Sequence, residues 1–145
     1  MKILVLGSGA REHALAASIA RSRHEPEVFV APGNDGMRDV AERLDVPMAD
    51  FAALAEFARR EGVRLTVAGS EEPLVSGVWN AFDAQGLRLF GPSAEAAQLE
   101  GSKAWAKEFM VRHGIPTAGS PQTHQATVRA RSWPKPHENV LTRPA

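Results

Sequence analysis

Hydrophobic positions along this chain change their spacing in a regular way. An uninterrupted apolar run, Ile3-Leu4-Val5-Leu6, breaks at Gly7-Ser8-Gly9 and gives way to Ala10, Ala14, Leu15, Ala17 and Ile19 at helical intervals. The run predicts a buried strand, and the recurrence predicts a helix ending near Arg23 with that alanine-rich side turned inward. Glu27 to Ala31 read as a second strand. Ala31-Pro32-Gly33-Asn34-Asp35-Gly36 is so rich in turn formers that it predicts a loop. Val40 and Leu44, four apart, predict a short helix over 37–44, and Val46 to Met48 a brief third strand, placed at an edge by Pro47. Asp50 is a ready N-cap for a helix carrying Phe51, Leu54, Ala55 and Ala58 and closed by Gly62.

Arg64 to Ala68 predict a fourth strand. Gly69-Ser70-Glu71-Glu72-Pro73 then lead into one helix with Pro73 at its first position and Leu74, Val78, Ala81 and Phe82 inward, ended by Gly86. Leu87 to Phe90 are a fifth strand, and Ser93 caps a helix running to Glu100. Ser102 caps another, with Trp105, Ala106, Phe109 and Met110 on one stripe and His113-Gly114 at its end. Strand and helix alternate throughout, which predicts an α/β fold: a parallel sheet of about five strands with helices on both faces. Right-handed crossovers put strands two and three on one side of the first strand, and four and five on the other. The switch point then lies between strands one and four, where Gly7-Ser8 and Gly69-Ser70 meet at the carboxyl edge. Open α/β sheets bind ligands at such a place.

Composition changes this picture only at the margins. The chain has 145 residues and equal numbers of basic and acidic side chains, so no overall field draws it to nucleic acid or to an anionic membrane. It has no cysteine, which rules out disulfides, thiolate metal sites and a thiol nucleophile. No stretch approaches the roughly 20 apolar residues of a membrane span. These features together predict a cytoplasmic protein. The last 27 residues hold four of the ten prolines and four basic residues against one acid, with no periodicity. Residues 119–145 are therefore expected to be a disordered tail.

The chemistry concentrates at the first turn. Gly7 and Gly9 allow the backbone to come close to a ligand, and the following helix aims free N–H groups and the positive end of its dipole at the same spot. A phosphate or carboxylate suits such a place. A dinucleotide fingerprint would need a third small residue where Glu12 stands, and an acid after the second strand, where none is found. A free-standing nucleotide- or NAD(P)-binding domain remains the alternative. Arg11 reads as an anion contact or as a solvated first-turn residue. Glu12 orients a ribose hydroxyl or the loop, or complements the dipole. His13 is a packed residue or a catalytic one. Asn34 contacts substrate or serves turn geometry, and Glu71 stands at the switch-point mouth or caps its helix. No residue set in the chain reads as a metal site.

The motifs Gly7-Ser8-Gly9-Ala10-Arg11-Glu12-His13-Ala14, Ala31-Pro32-Gly33-Asn34, Glu71 with Pro73-Leu74, Phe90-Gly91-Pro92, and Gln98 to Lys103 with His113 to Ala118 together resemble phosphoribosylamine–glycine ligase. The resemblance covers residues 1–118. It implies a Rossmann-like pre-ATP-grasp domain over 1–100, the start of an ATP-grasp domain over 101–118, and substrate contacts from Gly7, Gly9, Arg11, Glu12, Asn34 and Glu71. Lys103 is implied as a contact to ATP. The implied reaction joins glycine to 5-phosphoribosylamine at the expense of ATP, with magnesium, through a glycyl phosphate. The resemblance stops at Ala118, so the chain is expected to be a truncated or frame-shifted N-terminal piece, inactive alone or without function.

Overall fold

The computed structural model describes residues 1–118; the expectation for the tail lies outside them. These residues divide into two compact units, Met1–Gly101 and the chain from Ser102 onward. The first unit holds a five-stranded, wholly parallel sheet in the order β3-β2-β1-β4-β5. Its strands are β1 (Lys2–Gly7), β2 (Glu27–Pro32), β3 (Glu42–Arg43), β4 (Val63–Ala68) and β5 (Leu89–Phe90). The switch point falls between β1 and β4, as the crossover argument requires.

Alternating residues of the central strands feed two cores. Leu4, Leu6, Phe29 and Ala31 point to one face, where they meet Leu54, Ala55, Phe57 and Ala58 of α2 (Phe51–Glu61), with Leu74, Val78 and Phe82 beyond. Phe29 and Phe57 pack edge to face at 5.2 Å. Val5, Val28 and Val30 point to the other face and pack with Ala16 of α1 (Ala10–Ala20) and with Met37. With helices on both sides, β1 is buried along nearly its whole length.

Several expectations change in detail. The inward residues of α1 are Glu12 and Ala16, while Leu15 is 37% exposed, so the alanine stripe does not mark the buried side. Residues 37–44 are not a helix. Asn34 caps a single 3-10 turn over Asp35–Met37, after which the backbone N–H groups of both Val40 and Ala41 return to the Met37 carbonyl. The third strand forms at Glu42–Arg43 rather than at 46–48, where Pro47 accepts a turn from Asp50. The helix after β4 breaks at Gly77, which is left-handed at φ 98°, into α3 (Glu71–Val75) and α4 (Val78–Asp83). Pro73 is third in α3, still within the first turn, where no N–H is needed. The fifth strand shrinks to Leu89–Phe90, and α5 (Ala94–Gly101) follows it.

In the second unit, Ser102 caps α6 (Lys103–Arg112), as expected, through a bond from the Trp105 N–H to its hydroxyl. Trp105 stacks on Phe109, and Phe109 on His113, along one stripe. Among the described residues no helix is long and apolar enough to cross a membrane.

Candidate functional site at the carboxyl edge of the sheet

Glu12 is the centre of the first turn, and the geometry explains the glycines around it. Its side chain folds back under α1 and is 4% exposed. The Oε2 atom accepts the Gly9 N–H at 2.8 Å, which satisfies one of the helix's free donors. A Cβ on Gly7 would fall 2.3 Å from Glu12 Cγ, one on Gly9 2.8 Å from Oε2, and one on Gly69 2.3 Å from Oε1. Three glycines therefore enclose one carboxylate. Gly7 also has φ of 133°, which a side chain would resist. The Oε1 atom is buried without a hydrogen-bond partner among the described residues.

Backbone bonds join the ends of three strands around this turn. The Gly33 N–H donates to the Gly7 carbonyl at 3.1 Å, and the Gly69 N–H to the Leu6 carbonyl at 3.2 Å. Asn34 adds a side-chain clamp: its Nδ2 donates to the Ser8 carbonyl at 2.6 Å, while its Oδ1 accepts the Gly36 N–H at 2.8 Å. Arg43 fixes the outer flank by donating Nε to the Pro32 carbonyl at 2.9 Å and Nη1 to Asp35 at 3.1 Å. The loops after β1, β2 and β4 thus form one mouth.

Above that mouth Arg11 and Glu71 meet. Arg11 Nη2 lies 3.3 Å from Glu71 Oε2, and both side chains are largely in water. The Glu71 carboxyl is held below its ordinary value, first by its own backbone N–H and then by the Arg11 guanidinium. It is therefore ionised at neutral pH and able to accept from hydroxyl or amine donors. An exposed pair of this kind is weak and can be exchanged for ligand contacts at little cost. The mouth accordingly offers one cation and acceptor groups within the same short span.

Gly7, Gly9, Arg11, Glu12, Asn34 and Glu71 are brought together at this edge. Lys103 is not part of the same unit: it is exposed at the first position of α6. Gly69, which the sequence places opposite Gly7 at this edge, takes on a further part that its position alone does not reveal, the room it leaves for Glu12. An open cleft of about 500 Å³ lies elsewhere, along the β3 edge, lined by Arg38, Ala41, Glu42, Arg43 and Asp45. Its two arginines are already committed to Asp35, and it includes none of Gly7, Gly9, Arg11, Glu12, Asn34 and Glu71. Among the described residues no group of three or more His, Asp or Glu could hold a metal ion.

Residues 1–100 match the model of the family described as Phosphoribosylglycinamide synthetase, N domain. The chain belongs to this family. The phosphoribosylamine–glycine ligase of Xanthomonas campestris pathovar campestris is 59% identical over 124 residues, covering 81% of this chain and 28% of that protein. The enzyme of the same name from Xylella fastidiosa is 54% identical over 120 residues, with the same coverage of 81% and 28%. The chain thus spans little more than a quarter of the length of the curated relatives it matches. The crystal structure of phosphoribosylamine–glycine ligase from Thermotoga maritima superimposes with a TM-score of 0.60 at 30% identity, over 82% of this chain and 26% of that one. The family's N domain is therefore the unit that carries the three-loop mouth.

Proposed function

We propose that Met1–Gly101 is the substrate-holding domain of a phosphoribosylamine–glycine ligase of purine biosynthesis, acting in the cytoplasm, and that its three-loop mouth receives 5-phosphoribosylamine. The observation that carries this reading is the Arg11–Glu71 pair set over joined strand ends in a chain of this family. Arg11 is the contact for the sugar's phosphate, since a guanidinium suits two phosphate oxygens at once. Glu71 accepts from the ribose hydroxyls or the amine, while Asn34 holds the loop that frames them. Gly7, Gly9 and Glu12 form the floor.

The ligation itself, ATP-dependent joining of glycine to 5-phosphoribosylamine, belongs in this reading to a polypeptide of the relatives' full length. ATP is its cosubstrate and magnesium its metal. Lys103, at the start of the second unit, is the nucleotide-phosphate contact of that reading. In this reading Met1–Gly101 by itself binds without turnover, because the chain spans little more than a quarter of the relatives' length.

Titration of the 145-residue chain with glycinamide ribonucleotide, the stable product that shares the ribose phosphate, tests the proposal. Saturable binding is expected by calorimetry, weakened about tenfold or more by R11A and by E71Q, the size expected for loss of a charge-assisted bond. Binding that both variants leave unchanged would place the ribose phosphate elsewhere.

A further inference from the structure

The turn between β1 and α1 already contains an anion of its own. In a Gly-x-Gly-x-x-Gly turn the third glycine lets helix and strand approach, and a dinucleotide pyrophosphate rests on the first N–H groups of the helix. Gly7 and Gly9 keep the first two positions of that pattern here, and Glu12 stands at the third. The Glu12 side chain lies in the gap between the ends of β1, β4 and α1, and the demand for a missing side chain has moved to Gly69, on the neighbouring strand. The N–H of Gly9, at the mouth of the helix, donates to Glu12 Oε2 and is no longer free for a ligand.

The second oxygen adds an independent argument. Glu12 Oε1 is enclosed, with no donor to answer it among the described residues. A buried, unpartnered carboxylate oxygen costs stability, and filling the gap does not require one, because a glutamine has the same shape. The charge therefore serves something other than packing.

We infer that Glu12 is a specificity residue: its carboxylate occupies the anion seat of the β1–α1 turn and refuses a diphosphate there, which leaves Arg11, farther out, to take a single sugar phosphate. The admitted ligand rests on the substrate-site reading above; the refused one does not. A phosphate arriving at Gly9 would meet both a carboxylate of like charge and a missing donor, and each effect acts in the same direction.

Titration of the 145-residue chain and of its E12Q and E12G variants with inorganic pyrophosphate, followed by the amide signals of Gly7, Gly9, Ala10 and Arg11, decides the matter. The wild-type chain is expected to show no saturation at those amides at millimolar pyrophosphate. E12G, which restores the third glycine, should gain at least about tenfold in affinity, and E12Q, which removes only the charge, a smaller gain. E12Q keeps an oxygen for the Gly9 N–H, so it decides the question if E12G does not fold. Pyrophosphate bound by the wild type at these amides as tightly as by the variants would overturn the inference. So would folded variants that gain nothing. Glycinamide ribonucleotide added to the same samples separates the two readings: failure of the wild type to bind it sinks the substrate assignment while leaving any gain of pyrophosphate binding in place.

Discussion

At Gly69 a methyl group has nowhere to go while Glu12 is in place, since it would lie 2.3 Å from Oε1 and 2.4 Å from Cγ of that side chain. G69A must either expel Glu12, losing its bond to the Gly9 N–H, or move β4 away from α1. A cost of about 1–3 kcal/mol in denaturant unfolding is expected for such overpacking. In an E12A background those clashes are gone and the same substitution should cost far less, giving a coupling of at least about 0.5 kcal/mol in the double-mutant cycle. Equal costs in the two backgrounds would mean that the glycines serve backbone geometry rather than room for the carboxylate. The sequence marks Glu12 as the residue that breaks the dinucleotide pattern and allows it a ribose contact, a loop contact or a dipole role, without showing that it is enclosed by three glycines. The reason is physical: topology brings Gly7 and Gly69 together, with Leu6 opposite Ala68, but that the Glu12 side chain turns inward between them depends on packing that no local pattern encodes.

Helix α2 and helix α1 mark the two extremes of what local pattern can reveal. In α2 the buried positions Leu54, Ala55, Phe57 and Ala58 contrast with charged neighbours, the Asp50 carboxylate accepts the Ala53 N–H at 3.0 Å, and Gly62 closes the helix at φ 67°. Every one of those signals is local, and both ends of the helix are readable to the residue, although Phe57 joins the inward set that the spacing predicts and Phe51 is only partly buried. D50A should lower stability by about 1 kcal/mol, whereas D50S should retain most of it, because a hydroxyl can accept the same N–H. Equal denaturant midpoints for the two variants would show that the cap does not hold the helix start. In α1 alanines lie on every side, so hydrophobic contrast is too weak to set the phase, and a glutamate takes the inward place for reasons that come from another strand. Strand β3 carries no apolar signal at all. Its two charged residues are a strand because Phe29 and Val30 pair with them and because Arg43 is tied to Pro32.

On the scale of the whole sheet, β1 is fastened at both ends, and by different chemistry. Its carboxyl end is held by backbone bonds, the Asn34 clamp and the enclosed Glu12 carboxylate around the mouth. At its amino end, Lys2 Nζ lies 2.8 Å from Glu61 Oε2, 3.9 Å from Glu27 and over the Phe29 ring, so that β1, β2 and the end of α2 share one cation. The Glu61 bond, and then nearby carboxylates, raise Lys2 above its ordinary value of 10.5 against some desolvation. The same bond, reinforced by Arg60, lowers Glu61 below 4.5. Asp35 is likewise lowered, chiefly by the hydrogen bond and charge of Arg38. A lowered carboxyl stabilises the folded chain above its unfolded value, and that contribution disappears as the pH falls through the folded one. A raised ammonium contributes below its unfolded value and stops contributing as the pH climbs through the folded one. Stability should therefore be flat across neutral pH, fall below about pH 4.5 and fall again above about pH 10.5, the ordinary Glu and Lys values. The Lys2→Met variant should lose the Lys2 part of the alkaline decline and soften the acid one, while the Asp35 and Glu71 contributions on the acid side remain. Denaturant midpoints measured across that range check this, and an alkaline limb identical in the two proteins would show that Lys2 does not fasten β1. Because all these groups lie near water, about 1 M salt should flatten both limbs in the wild type, whereas the glycine-lined mouth, whose bonds are short and partly enclosed, should be indifferent to it.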